Sequence, residues 1–165
     1  MKTLAPLLVV TLLVTSVSPL PAQGLDLMLR GDAAYLRRAE GHTGAVARAE
    51  PIGESISAFE QLLTENPQNI EARWKLLRSL YFQGEHVLQD PDERLALYET
   101  AREISDVGRE QLAIAAGLGT DSDSMKTEKL AAALADTPDS AQIYFWSAVH
   151  WGLWGRYRGK MAAAK

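Results

Sequence analysis

Cysteine is missing from all 165 residues, which excludes disulfides, thiolate zinc centres, a cysteine nucleophile and a lipid-bearing cysteine behind a leader. A basic excess is missing too. Seventeen Lys and Arg stand against 21 Asp and Glu, a formal net charge of −4 with no basic stripe, which argues against nucleic acid as a partner. Catalytic signatures are equally scarce. His42, His86 and His150 lie far apart, and none belongs to an HExxH pair or a nucleophile motif. The GLG at residues 117–119 lacks the later glycine and the lysine of a phosphate loop. Asp121-Ser-Asp123 resembles the start of a calcium loop, but the turn glycine is missing and Ala132 stands where the closing glutamate belongs, so it reads as a solvated loop. Carboxylates such as Glu40, Glu50, Glu54, Glu60, Asp90 and Asp92 are plentiful, yet no pair is marked out for acid and base work. The expectation is a protein that is not an enzyme and holds neither metal nor cofactor.

What is present begins with an address. Lys2, an apolar run over residues 4–17, then Pro19, Pro21 and Ala22 read as a secretory signal peptide over residues 1–22, cleaved after Ala22. The apolar run falls short of the ~20 residues of a membrane span. The mature chain, residues 23–165, loses only the charge of Lys2 and so carries −5. With 47% hydrophobic and 23% charged residues, the full sequence has the composition of one soluble domain with its own core.

One phrase occurs twice. LTENPQNIEARW starts at Leu63 and LADTPDSAQIYFW at Leu134, so that at a spacing of 71 Leu63 matches Leu134, Glu65 matches Asp136, Pro67 matches Pro138 and Trp74 matches Phe145, with Trp146 one place beyond. Each is a helix ending, a turn at proline and a restart with an aromatic, and the Asn or Asp/Ser after the proline suits an N-cap. The spacing equals about two tetratricopeptide units of ~34 residues plus a small insertion. Trp74, Leu77 and Tyr81 occupy the places where that repeat packs its first helix on its second, although Arg78 stands where a small residue is usual. The predicted fold class is all-α: tetratricopeptide-like antiparallel helical hairpins, an α-solenoid or bundle of about six helices.

Apolar spacing places those helices over residues 25–40, 52–66, 70–82, 92–117, 125–134 and from 140 onward. Gly84 is the expected stop of the third, whose Glu71, Arg73, Lys75 and Arg78 fall mostly off its apolar face. Asp90-Pro91 starts the fourth, with Leu95, Tyr98, Ala101, Ile104 or Ser105, Gly108, Leu112 and Ala115 as its buried stripe. GLGTDSDS and the short fifth helix are the insertion. The sixth carries Tyr144, Phe145, Trp146, Trp151, Trp154 and Tyr157 all round its wheel, so it is buried on several sides, lines a cavity or meets a partner. Gly152, Gly155 and Gly159 would let another backbone approach. His150, among these aromatics, is placed either to orient a ligand or to bond a neighbour in the core. Trp74, Tyr81, Tyr144, Trp146, His150, Trp151 and Trp154 are the candidate binding residues, the aromatics for stacking.

The order of an exported leader, a YLRRA-like first helix, NPQNIEARWKLLRSLYFQGE, a long helix and P-x-x-A-x-x-Y-x-W in a Trp-rich helix resembles the T-component proteins associated with tripartite (TRAP) transporters of bacteria. Asn66 to Trp74, Leu77, Tyr81, Phe82, Gly84, Pro138, Ala141, Tyr144, Trp146, Ala148, Gly152 and Trp154 carry the likeness, which covers residues 25–157. It implies a periplasmic protein of degenerate tetratricopeptide helices that oligomerises, associates with the transporter's solute-binding protein and holds a cavity for an apolar or organic-acid ligand. Two departures bear on that. The chain stops at Lys165, where further helices are expected, so its aromatic face needs a partner or a homo-oligomer; and no lipobox cysteine tethers it to a membrane. A general tetratricopeptide scaffold of the cell envelope, binding peptides, is the alternative. A hydrolase would need a site assembled from distant segments.

Overall fold

The computed structural model describes residues 20–118 and 125–159; the first 19 residues of the expected 22-residue leader, the expected loop at Asp121-Ser-Asp123 and Lys160 lie outside the described residues. Six helices make up the described chain: α1 (Leu20–Leu36), α2 (Ala49–Glu65), α3 (Ile70–His86), α4 (Pro91–Ala115), α5 (Thr127–Leu134) and α6 (Ser140–Arg158). The fold is all-α. No helix of the described residues is long and apolar enough to cross a membrane.

The helix starts have local causes. The Asn69 side chain accepts the Ala72 N–H at 2.9 Å, capping α3 as its place after Pro67 predicts. Asp90 accepts from the N–H groups of Asp92 and Glu93 at 2.8 and 3.1 Å, Pro91 occupies the first turn of α4, and the carboxylates of Asp92 and Glu93 suit its positive end. The second junction behaves differently from the expectation. Asp139 precedes α6 at φ 59°, a left-handed conformation, and its side chain caps nothing. It accepts the Trp74 indole N–H at 3.1 Å instead, so one junction's carboxylate fastens the other's aromatic.

Direction follows from the pairs. Gln23 meets Glu65 and Arg37 meets Glu54, so α1 and α2 are antiparallel. Ser55 bonds Ser79 across α2 and α3, Arg73 bonds Gln111 across α3 and α4, and Arg94 and Glu99 meet Tyr157 and Trp154 across α4 and α6, each pair again antiparallel. Helices α1, α3 and α6 therefore share one direction, with α2 and α4 reversed between them. Along that set, Lys75 and Arg78 of α3 reach Asp32 of α1, and Trp74, Tyr81 and Glu85 reach Asp139, Trp146 and Arg156 beside α6. Leu27, Ile52, Phe59, Leu62, Leu76, Leu77, Leu112, Leu134 and Ile143 form one core, and Tyr98, Leu153 and Trp154 a second cluster.

Several boundaries and faces differ from the sequence expectation. Helix α1 is already formed at Leu20, the first described residue, and runs through the expected cleavage point after Ala22; it stops at Leu36, where i→i−3 turns carry the chain on to Gly41 at φ 67°. Gly84 lies inside α3, since the helix continues to His86. A Cβ at Gly84 would sit 2.7 Å from Tyr98 Cζ, so this glycine admits the fourth helix's tyrosine and does not end the third helix. Close helix approach occurs at Gly31, Gly84 and Gly108; nothing lies within 4 Å of a Cβ at Gly152 or Gly159. Ala115 is exposed, and Ser105 takes the buried place on α4. Arg73 and Lys75 are buried, contrary to their predicted place off the packed face, because partners neutralise or saturate them. Arg73 donates to the Pro67 carbonyl at 2.6 Å and to Gln111 at 3.2 Å, while Lys75 is held by Asp32 at 2.6 Å and Glu71 at 2.7 Å.

Candidate functional site

The seven aromatic and histidine candidates separate into three places. Tyr81 and Trp146 face each other across α3 and α6 with ring centroids 5.5 Å apart, and both are half-buried. They are one wall of an open groove of about 490 Å³, completed by Phe145, Val149, Leu153 and the Glu85 and Arg156 side chains. Phe145 is 59% exposed there, an unusual state for a ring that size. Its edge meets Trp146 at a centroid distance of 5.0 Å. At the edge of the groove Glu85 accepts the Tyr98 hydroxyl at 2.7 Å and faces Arg156 at 3.5 Å, so one carboxylate joins the core to the rim. Burial and the Glu85 carboxylate push the Tyr98 hydroxyl above its ordinary range, which keeps it neutral and donating. Trp74 lies further along the same α3 face, bonded to Asp139 with Lys75 and Arg78 over its ring.

His150 is in neither groove nor cavity. It is fully buried, its Nε2 lies 2.9 Å from the Leu77 carbonyl, and its ring lies 5.8 Å from that of Tyr98. A carbonyl only accepts, so Nε2 carries the proton and Nδ1 is the bare nitrogen. That Nδ1 is shielded and without a partner among the described residues. Burial lowers the pKa to about 4, the Leu77 hydrogen bond opposing only in part. The imidazole is therefore a neutral strut between α6 and α3, out of reach of a ligand in the groove.

Tyr144, Trp151 and Trp154 point to the other flank of α6. Tyr144 lines a depression of about 400 Å³ against α5 with Leu130 and Leu134. Trp154 is buried on α4, where its indole N–H donates to Glu99 at 3.3 Å, and Trp151 crosses it edge-on at 5.7 Å. Arg102 of α4 sits in the angle between them, its guanidinium carbon 3.6 Å from the Trp151 centroid and 3.8 Å from that of Trp154. Glu99 also pairs with Arg158.

Sequence reasoning missed Phe145, Val149, Leu153, Glu85 and Arg156 as groove residues. A signal was there. Glu85 and Arg156 are 71 residues apart, the spacing of the two junctions, so they hold equivalent places on two parallel helices and meet across them. It also missed the Asp32, Glu71, Lys75 and Arg78 cluster on α1 and α3. There, burial opposes the Lys75 charge but the two carboxylates outweigh it and hold its pKa above the ordinary range. Burial of Arg78 lowers its pKa, while its guanidinium lies 3.7 Å over the Tyr35 ring.

Chemically, this arrangement stacks, buries and pairs. No group of three or more His, Asp or Glu side chains among the described residues is placed to hold a metal ion. No family model, curated protein or solved structure matches the chain.

Proposed function

We propose that the chain is an exported, non-enzymatic helical-repeat protein, accessory to TRAP-type solute uptake, whose α3–α6 groove receives an apolar segment of the transporter's solute-binding protein. One observation carries the reading: an open groove of about 490 Å³ with Tyr81, Trp146 and an exposed Phe145 on its walls and an acid and a base at its edge. Apolar floors rimmed by charge are what protein partners bury, with aromatics as the anchors. The tetratricopeptide-like reading adds support, because α1, α3 and α6 run in one direction and α3 side chains meet both of the others, as the first helices of stacked hairpins do.

An apolar or organic-acid small ligand fits the same walls less well, since a pocket for one encloses most of its surface and this groove is open. A general envelope scaffold is the alternative, favoured by the same openness. Native mass spectrometry of the mature protein purified from an exporting host separates them. The proposal predicts a complex with the solute-binding protein that disappears in Phe145→Ala/Val149→Ala; a bare chain, or a complex unaffected by the double substitution, contradicts it. Retention of a small molecule by the wild type alone would instead establish the ligand reading.

A further inference from the structure

Arg102 stands out among the arginines of α4. Arg94 donates to the Leu88 carbonyl and the Tyr157 hydroxyl, and Arg109 pairs with Asp106 at 2.9 Å. Arg102 has two indole faces and no acceptor among the described residues. The carboxylates one turn away are already engaged. Glu99 takes the Trp154 indole and Arg158, and Asp106 takes Arg109. Its Nε is shielded by the packing, whereas the outer two nitrogens are not among the shielded atoms. Trp151, which forms one side of the clasp, is 37% exposed.

We propose that Arg102, clasped by Trp151 and Trp154, is a binding point for a carboxylate group, on the opposite flank of α6 from the groove. Contact with two rings set 74° apart restricts the movement of the guanidinium, so less side-chain freedom is lost when its fork meets a planar two-oxygen anion. The exposed face of Trp151 offers stacking to whatever body carries the carboxylate. Charge number selects among anions. The charges of Glu99 and Asp106 are matched by Arg158 and Arg109, and Glu103 is the next residue along α4, so Arg102 offers one unmatched positive charge, which favours a singly charged carboxylate over doubly charged phosphate. The carboxylate belongs either to a free small acid or to an acidic side chain of a protein.

The test follows the indole N–H signals of the four tryptophans by NMR while benzoate, a short Asp/Glu peptide or inorganic phosphate is titrated into the mature protein. Saturable shifts of the Trp151 and Trp154 signals, weakened at least tenfold in Arg102→Gln and partly retained in Arg102→Lys, are the expected result. The Trp74 signal should stay in place and report that each variant is folded. Response to benzoate assigns a free acid, and response to the peptide alone assigns an acidic protein segment. No saturable shift with either, equal shifts in Arg102→Gln, or a phosphate response as strong as the carboxylate response would overturn the proposal.

Discussion

His150 shows how one residue ties packing to pH. The unfolded chain takes up a proton on this side chain near pH 6.5, whereas the folded chain does so only near pH 4, because burial disfavours the charged ring. Its contribution is therefore full above about pH 7 and is lost as the pH falls from 6.5 towards 4, by about 1.4 kcal/mol per unit and on the order of 3 kcal/mol in all. Urea unfolding at a series of pH values should show this slope, and His150→Gln, which can still donate to Leu77, should flatten it. Gly84 makes the complementary point about shape. A methyl group there meets the Tyr98 ring, which is buried and fastened to Glu85, so neither side can yield. Gly84→Ala is expected to destabilise by about 1–3 kcal/mol in denaturant melts despite its better helix propensity.

At the level of elements, the two junctions look alike in sequence and act differently in the fold. Asn69 caps α3; Asp139 gives up capping to hold Trp74. Trp74→Phe removes the donor, and with it about 0.5–1.5 kcal/mol of stability, whereas Asp139→Asn retains an acceptor and should cost less, as thermal melts of the pair would show. The all-α class, the six helices and the proline junctions were legible because they rest on local spacing and turn chemistry. The burial of Arg73 and Lys75 was not. Their partners, Pro67 and Gln111 for one, Asp32 and Glu71 for the other, come largely from distant segments, so only the assembled helices reveal why those charges are tolerated. For the same reason the sequence identified the aromatics of α6 but not their division between a groove, a buried strut and a clasp. Helical spacing gives angles on one wheel; it does not say which angle meets α3 and which meets α4.

At the scale of the whole molecule, the directions of the helices matter most. Three run the same way with two reversed between them, and side-chain contacts pass from α1 through α3 to α6 along one face. Polar and cation–ring contacts dominate the α1–α3 seam, and aromatic and aliphatic contacts the α3–α6 seam. The second seam is thus the better candidate for burying a partner's apolar surface. Phe145 is the ring most exposed to such a partner, and its loss should leave the fold nearly untouched, within about 0.5 kcal/mol, unlike the ~3–5 kcal/mol expected for Trp154→Ala. The most direct measurement is photocrosslinking from a reactive residue placed at position 145 in an exporting host, with exposed Ser57 on α2 as the control position. The account predicts one crosslinked product, the solute-binding protein, from position 145 and none from position 57. No product from position 145, or the same products from both, would contradict it.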